Sequence, residues 1–398
     1  MSFKKNKSYK HYRNQTRLVR GGLIRSDHGE TSEAIFMNSG YVFNSAEEAK
    51  ARFAGELDGY LYSRYGNPTV SMFEERMALN EGAEACFATA SGMSAVFASL
   101  MSCLKSGDHV VSSRALFGSC YHIIDQILPR YGIITHLIDG TDLAQWEQHV
   151  TNKTKCIFLE SPSNPTMEII DIKSVANIAH KHNALVVVDN ILASPVLQKP
   201  MNFGADIVVY SGTKHIDGQG RSIGGAILSS KDHYDEYIKP FIRHTGPTLS
   251  AFNAWVLLKG LETLELRMKQ HCYNASKVAN YLSQHPKVEK IIYPGLKSHS
   301  QYALAKEQMH DGGSIVTFVI KGNDAFKFMN ALNIFDISNN FGDTKSLVTH
   351  PASTTHRVIG KEGRKKLNIQ DSMIRLSIGL EDVDDLIEDI DKALIETD

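Results

Sequence analysis

Two short apolar runs decide the fold of this chain: Ala184-Leu-Val-Val-Val-Asp-Asn190 and Asp206-Ile-Val-Val-Tyr-Ser-Gly-Thr-Lys-His215. Both runs are rich in β-branched residues and are bounded by Asp, Gly or Pro. This pattern is typical of strands that are buried on both faces, as in a parallel sheet. We therefore predict two strands of a largely parallel sheet.

Polar groups follow each predicted strand at the point where its apolar run stops. The first run ends on the carboxylate of Asp189, and the second is followed by Ser211, Thr213 and Lys214. Ligands of open parallel sheets bind at the carboxyl ends of the strands. A lysine that can form a Schiff base, with a carboxylate for a pyridinium nitrogen, suits pyridoxal phosphate (PLP). The alternative is a strand-end lysine in a surface ion pair.

The turn Ala90-Ser-Gly-Met-Ser94 offers a seat for the phosphate of such a cofactor. It follows a predicted strand, 84–89, and opens an apolar helix that runs to about Cys103. Free backbone N–H groups and the helix dipole favour an anion at this position. Many strand-to-helix turns contain Ser-Gly, so this motif supports PLP only in combination with Lys214 and Asp189.

Predicted strands and helices alternate through the first half of the chain, which favours an α/β fold with helices on both faces of a mostly parallel sheet. Helices are expected at 46–53, 70–80, 116–130, 141–150 and 172–182. A long helix, 252–271, is expected to lead into a smaller α+β C-terminal domain with strands at 288–292, 314–319 and 373–378. The predicted domains are an N-terminal arm (1–60, frayed over 1–15), a large PLP-binding domain (61–258) and a small domain (259–398).

Composition excludes several classes of protein. A length of 398 residues favours two domains, and a net charge of -1 gives no reason to expect nucleic acid or a membrane surface as partner. Five cysteines without CxxC spacing, and 17 histidines without an HExxH pattern, predict reduced thiols and no metal site. No apolar run approaches the ~20 residues of a spanning helix and no signal peptide is evident, so a cytoplasmic location is expected.

Two further features have both a structural and a functional interpretation. The loop Gly59–Thr69 is dense in aromatic and cationic residues, which favours ligand contact, although a surface turn is the simpler explanation. Arg375 lies in a predicted apolar strand and needs a partner there. That partner is either a structural carboxylate or the carboxylate of a substrate, held by two parallel hydrogen bonds.

Together these residues resemble the Cys/Met-metabolism family of PLP-dependent enzymes, from about Thr16 to Ala393. The motifs that carry the resemblance are Tyr62-Ser-Arg-Tyr-Gly-Asn-Pro-Thr69, Ala90-Ser-Gly-Met93, Glu160-Ser-Pro-Ser-Asn-Pro165, Val188-Asp-Asn190, Ser211-Gly-Thr-Lys214 and Arg375-Leu-Ser-Ile-Gly-Leu-Glu-Asp382. The stretches 213–221 and 337–347 are most similar to the members that act as O-succinylhomoserine sulfhydrylases.

The resemblance implies a type I, aminotransferase-like PLP fold and a homotetramer built from two active dimers. It implies γ-replacement in methionine biosynthesis, in which O-succinyl-L-homoserine and sulfide give L-homocysteine and succinate. Cystathionine γ-synthase, which uses cysteine as nucleophile, and methionine γ-lyase remain alternatives within the family. A non-catalytic protein that keeps the fold for assembly is the alternative from another class.

The resemblance also implies a role for each site residue. Around the ring, Lys214 forms the Schiff base, Asp189 pairs with the pyridinium nitrogen, Asn164 bonds the ring hydroxyl side and Phe117 stacks on the ring face. The phosphate is held by Gly92, Met93, Ser211 and Thr213, with Tyr62 and Arg64 added from the neighbouring subunit. Arg375 binds the α-carboxylate of the substrate.

Two residues depart from the pattern of the family. Phe117 stands where most relatives have tyrosine; it can stack but cannot carry a proton, so Lys214 or another group must do so. Asn340 replaces a serine of many relatives and is expected near the substrate carboxylate. Either Arg114 or Arg221 is left open as the partner of the succinyl carboxylate.

Overall fold

The computed structural model describes residues 9–322 and 324–397, and two β-sheets organise them. The strands, in chain order, are β1 (Ala85–Thr89), β2 (His109–Ser113), β3 (Ile134–Ile138), β4 (Thr154–Glu160), β5 (Leu185–Asp189), β6 (Ile207–Ser211), β7 (Gly225–Ser229), β8 (Val288–Ile292), β9 (Ile315–Ile320), β10 (Asp336–Ile337), β11 (Leu347–Thr349) and β12 (Met373–Ser377). The larger sheet contains β1 to β7 and the smaller sheet contains β8 to β12.

The larger sheet has the strand order β1-β7-β6-β5-β4-β2-β3. Strand β7 is antiparallel to both of its neighbours, and the remaining pairs are parallel. The predicted mostly parallel α/β sheet is therefore confirmed. Because β4, β5 and β6 are adjacent and parallel, their carboxyl ends meet at one edge of the sheet, where Glu160 of β4 pairs in register with Asp189 of β5.

The chain has sixteen α-helices in its described residues. They are α1 (Asn14–Arg20), α2 (Ala46–Ala54), α3 (Pro68–Glu81), α4 (Gly92–Met101), α5 (Gly118–His122), α6 (Leu143–His149), α7 (Ile172–His180), α8 (Ser194–Leu197), α9 (Lys231–His233), α10 (Lys239–Thr245), α11 (Ala251–Glu262), α12 (Leu264–Gln284), α13 (Tyr302–Gln308), α14 (Ala325–Ala331), α15 (Gly360–Lys366) and α16 (Val383–Ile395). The helices of its first part cover both faces of the larger sheet, and α12, α14 and α16 pack with the smaller one. Alternate residues of β5 face different layers: Val186 and Val188 pack into one apolar core, and Val187 packs into the other. This two-sided burial explains why the sequence of β5 is continuously apolar.

The smaller sheet has the order β10-β11-β12-β9-β8 and packs against α12 and α16 through a third apolar cluster. All of its pairs are antiparallel except β10 with β11. This confirms the predicted smaller α+β part of the chain. Arg375 lies on β12, between β11 and β9. The domain boundaries at residues 60 and 258 stay a prediction.

Two predicted helices differ from the structure, and two short strands were not predicted. The helix expected over 252–271 is two helices, because the backbone leaves helical geometry at Thr263 (φ -109°, ψ 4°). The helix expected over 116–130 is helical over 118–131, but only Gly118–His122 is α-helical. Ile123–Ile127 is π-helical, and Leu128–Tyr131, which contains Pro129 without a backbone N–H, is a 3-10 helix. Strands β10 and β11 were not predicted because they are only two and three residues long.

The N-terminal arm also differs from its prediction, because the stretch expected to be frayed ends inside a helix, Asn14–Arg20. The part of that prediction that covers residues 1–8 lies outside the described residues. Over the described part of the chain, no helix combines the length and apolar character that crossing a membrane requires.

Candidate active site

A cavity of about 650 Å³ opens at the carboxyl ends of β4, β5 and β6. Its position follows from the topology, since parallel strands present their ends and following loops at one edge of the sheet. The cavity is lined by Ser91, Gly92, Met93, Phe117, Cys120, Glu160, Asn164, Asp189, Ile191, Leu192, Ser211, Thr213, Lys214, Gly220, Arg221, Ser222, Ile223, Asn339, Asn340 and Phe341. Most residues that the sequence singled out therefore lie around one space.

Lys214 brings an amine with an altered affinity for protons to this cavity. Burial, together with the nearby Arg375 guanidinium, lowers the pKa of the Lys214 amine to about 8. Nζ donates a hydrogen bond to Oδ1 of Asn340 and lies 4.8 Å from the centroid of the Phe341 ring. An amine with this lowered pKa is a better nucleophile near neutral pH than an exposed lysine.

Asp189 supplies a carboxylate that no described cation pairs with. It is 2% exposed, and burial raises the pKa of its carboxyl to about 7. Oδ1 accepts a 3.1 Å hydrogen bond from the backbone N–H of Ile191, and Oδ2 is 3.9 Å from the thiol of Cys120. A buried carboxylate without a cation is costly, so this site favours a positively charged ligand group beside it.

The first turn of α4 lies against the end of β6 and forms an anion seat. A Cβ atom at Gly92 would come within 2.6 Å of the Cβ of Ser211, so only glycine permits this approach. The Ser91 hydroxyl caps α4 by accepting from the backbone N–H of Ser94. The backbone N–H groups of Gly92 and Met93 bond to no described residue, which leaves them free for an anion.

Arg375 does not line the cavity itself, but it reaches from the smaller sheet to Asn164 and Asn340, which do, and no described carboxylate forms an ion pair with it. It is 1% exposed, and burial lowers the pKa of its guanidinium to about 10. Nη1 donates to Oδ1 of Asn164 at 3.0 Å, and Nη2 donates to the backbone oxygens of Asn339 (3.0 Å) and Asn340 (2.9 Å). Nε has no partner in the described chain. Neutral partners alone leave the charge of Arg375 available to an anion.

Tyr62 and Arg64 are the predicted site residues that this chain does not bring to its own cavity. The Arg64 guanidinium donates to the backbone oxygen of Arg243 and lies 4.7 Å from the centroid of the Tyr65 ring and 5.5 Å from that of Tyr62. Tyr62 is 43% exposed. Their assignment to the site of a neighbouring subunit stays a prediction.

Glu160 and Phe341 lie in stretches that the sequence analysis singled out, but it assigned neither of them a role in the site. Glu160 is buried at the end of β4, where its two oxygens accept backbone hydrogen bonds from Phe117 (2.7 Å) and Asn164 (2.8 Å). Burial and the neighbouring Asp189 hold the pKa of Glu160 well above its ordinary value. The rule that identified Asp189, a carboxylate ending an apolar strand, would also have identified Glu160. The Phe341 ring lies near both Lys214 and Arg375, but no sequence signal marked it.

The chemical groups around the cavity fit PLP. An amine of lowered pKa suits its aldehyde, a buried carboxylate without a cation suits its pyridinium nitrogen, and the free N–H groups at α4 suit its phosphate. The hydroxyls of Ser211 and Thr213 line the same cavity. The side-chain nitrogen of Asn164 bonds to no described residue and is free to donate to an oxygen on the ring.

Comparison with known proteins agrees with this fit. The family model described as Cys/Met metabolism PLP-dependent enzyme matches residues 15–395. The chain is 54% identical over 382 residues to O-succinylhomoserine sulfhydrylase of Mycobacterium tuberculosis (94% of each chain). It is 48% identical over 381 residues to O-succinylhomoserine sulfhydrylase of Pseudomonas aeruginosa (95% of this chain, 94% of the relative).

A solved structure extends the comparison to three dimensions. An O-acetylhomoserine (thiol)-lyase of Campylobacter jejuni superposes with a TM-score of 0.93 and 34% identity, over 96% of this chain and 100% of that one. That protein carries an N'-pyridoxyl-lysine-5'-monophosphate. The aminotransferase-like PLP fold expected from the sequence is confirmed.

Proposed function

We infer that this chain, which belongs to the Cys/Met metabolism family of PLP-dependent enzymes, converts O-succinyl-L-homoserine and sulfide to L-homocysteine and succinate. The observation that carries this function is the 54% identity to O-succinylhomoserine sulfhydrylase along 94% of both chains. Its cofactor is PLP, as the family description states. The reaction places the chain in Cys/Met metabolism, and we propose methionine biosynthesis as its pathway.

PLP supplies an aldehyde that joins an amine and a protonated ring that withdraws electrons from the α-carbon of a bound amino acid. The remaining chemistry falls to residues of this chain. Lys214 would hold the cofactor through its amine, and an amine not bound to the cofactor would be free to move protons. With a pKa of about 8, that amine exchanges a proton readily near neutral pH.

Asp189 keeps the ring nitrogen protonated, since a carboxylate next to that nitrogen favours its charged form. The pyridinium cation would in turn favour the ionised form of Asp189. Without that cation, burial raises the pKa of Asp189 to about 7. Phe117 holds the face of the ring by contact alone. Since its side chain has no proton to give, proton transfer at the substrate α- and β-carbons is assigned to Lys214.

Arg375 and Asn340 orient the amino-acid end of the substrate. Arg375 binds the α-carboxylate, which supplies the anionic partner that the buried guanidinium otherwise lacks. Asn340 bonds Lys214 through its side chain and Arg375 through its backbone oxygen, so it connects the amine to the carboxylate-binding group.

We also propose a homotetramer of active dimers and a cytoplasmic location. Tyr62 and Arg64 support a shared site, because both lie outside the cavity of their own chain although their motif matches a phosphate-binding stretch of the family. In this proposal each subunit lends these two residues to the phosphate of its neighbour, and residues 1–60 form the arm that positions them.

The proposed function is tested by a product assay on the purified holoenzyme. O-succinyl-L-homoserine and sulfide should give homocysteine and succinate in equal amounts. Cystathionine formed from cysteine at a higher kcat/KM would assign cystathionine γ-synthase activity, and α-ketobutyrate from methionine would assign a γ-lyase. A protein without the visible absorption of a PLP Schiff base would point to the non-catalytic alternative.

A further inference from the structure

One wall of the cavity is formed by residues 220–223 and carries a second cationic side chain beside that of Lys214. Within this wall, Arg221 has a side chain that is 40% exposed, so it reaches open space and is not enclosed by protein. The substrate of the proposed function has two carboxylates, and Arg375 accounts for only one of them. The wall formed by residues 220–223 is therefore a candidate binding site for the carboxylate at the succinyl end of the substrate.

Arg221 is held in place by the fully buried Asp217. Oδ1 of Asp217 accepts from Nε of Arg221 at 3.0 Å, and Oδ2 accepts from its backbone N–H at 2.6 Å. Nη2 donates to the backbone oxygen of Asp217 at 3.2 Å, and Nη1 bonds to no described residue. The side chain is thus fixed in advance while one donor nitrogen stays free, which lowers the entropy lost on binding an anion.

Asp217 does not neutralise the positive charge of this wall. The same carboxylate also acts electrostatically on Arg267, whose described hydrogen bonds go to the backbone oxygens of His215, Ile216 and Gly260 and to the hydroxyl of Thr263. One carboxylate therefore serves two guanidinium groups. The other nearby acid, Asp343, is 3.4 Å from the ammonium of Lys345 and so has a cation of its own.

Ser222 adds an unused donor to the same wall. Its side chain is 8% exposed, and Oγ has no hydrogen-bond partner in the described chain. Buried hydroxyls without partners are rare, and such a group calls for a ligand or a water. Arg221 and Ser222 both line the cavity, so a guanidinium and a hydroxyl are available to a carboxylate on the same wall.

Arg114, the other arginine that the sequence left open, has a different environment. Its Nη2 pairs with Oδ2 of Asp139 at 2.5 Å, and it does not line the cavity. Resting on the proposed function, we propose that Arg221 and Ser222 bind the distal carboxylate of the succinyl group. This pair would make the enzyme prefer a succinyl ester over an acetyl ester, which has no charge at that end.

The test compares O-succinylhomoserine with O-acetylhomoserine on the holoenzyme. Arg221→Gln should raise KM for the succinyl ester by about 10- to 100-fold, the range expected from losing a hydrogen bond to a charged group. The kcat/KM for the acetyl ester should change little. Arg221→Lys should recover part of the loss, Ser222→Ala should cause a smaller loss, and the matched control Arg114→Gln should leave both esters unaffected.

Failure of this proposal and failure of the proposed function give different results in this test. Equal loss on both esters would assign Arg221 a structural role through Asp217, and no loss on either would remove it from the site; both outcomes overturn the proposal. If the parent enzyme uses neither ester, the proposed function fails. Binding of succinate to the holoenzyme then tests whether Arg221 and Ser222 bind a carboxylate. Succinate bound by the parent and lost in Arg221→Gln supports the pair, whereas equal binding or none contradicts it.

Discussion

Nη1 of Arg375, on the smaller sheet, donates a 3.0 Å hydrogen bond to Oδ1 of Asn164, which follows β4 of the larger sheet. The two residues are 211 positions apart in the chain. This bond joins the group assigned to the substrate carboxylate with the group assigned to the cofactor ring. A change at Arg375 can therefore affect both substrate binding and cofactor binding. Its variants need two measurements, steady-state kinetics and a PLP titration.

Arg375→Lys should raise KM for O-succinylhomoserine by about 10- to 100-fold, because a lysine keeps the charge but loses the paired donors. We expect kcat and PLP affinity to change less, since Lys214 and Asp189 remain in place. Steady-state kinetics and a PLP titration check this result, with the exposed Arg130→Lys as control. An unchanged KM would remove Arg375 from the substrate site.

Glu160→Gln should lower the free energy of unfolding by about 1–3 kcal/mol, the usual cost of leaving a buried group without its partner. The two oxygens of Glu160 each accept one backbone N–H, from Phe117 and Asn164, and a glutamine keeps only one accepting oxygen, so one of these bonds is lost. PLP affinity should also fall, because both of these residues line the cofactor side of the cavity. Urea unfolding measures the effect, and the exposed Glu388→Gln serves as the matched control.

An unchanged stability and PLP affinity in Glu160→Gln would show that these two backbone bonds do not hold the site.

Lys214→Met should stabilise the apoprotein at neutral pH. Burial lowers the pKa of Lys214 from its ordinary 10.5 to about 8, so the folded state binds this proton less tightly than the unfolded state. The cost of the charged amine is fully present below pH 8 and is relieved as pH rises toward 10.5. The variant should therefore gain on the order of 1–3 kcal/mol at pH 7, and less at pH 9.5.

Urea unfolding of both apoproteins at several pH values gives this difference. If the gain is the same at pH 7 and pH 9.5, or if the variant is less stable at both, the lowered pKa of Lys214 is contradicted.

A mixture of Arg64→Ala and Lys214→Ala should regain activity if subunits share sites. Each variant alone should be inactive or weakly active, the first through poor PLP retention and the second through the missing amine. After denaturation and refolding together, each mixed dimer would contain one site with both residues intact, and about a quarter of parental activity is expected. No recovery in mixtures that do form mixed dimers would place Arg64 outside the neighbouring site.

The sequence was informative where local chemistry decides structure. The β-branched run before Asp189 predicted a buried strand, and the strand is buried because its alternate residues pack into two cores. Ser91 and Gly92 predicted the start of α4, since a cap and a close approach both depend on residue type. Arg375 drew attention because a cation in an apolar strand needs an explanation, and no described carboxylate pairs with it.

The sequence was uninformative where distant residues decide structure. The break at Thr263 was missed because threonine interrupts helical geometry there without a proline or glycine to mark it. Strands β10 and β11 are too short to show a period; β11 is held by its pairing with β12, and β10 by its pairing with β11. The approach of Phe341 to Lys214 and Arg375 depends on how the two sheets pack, which no local pattern records.

The central claim is that Lys214 holds PLP in the cavity between Asp189 and the first turn of α4. Borohydride reduction of the holoenzyme fixes the cofactor to its lysine, and protease digestion with mass spectrometry then locates it. The account predicts a pyridoxyl phosphate group on the peptide that contains Lys214. A modified peptide with any other lysine, or no modified peptide from a protein that contains PLP, would contradict it.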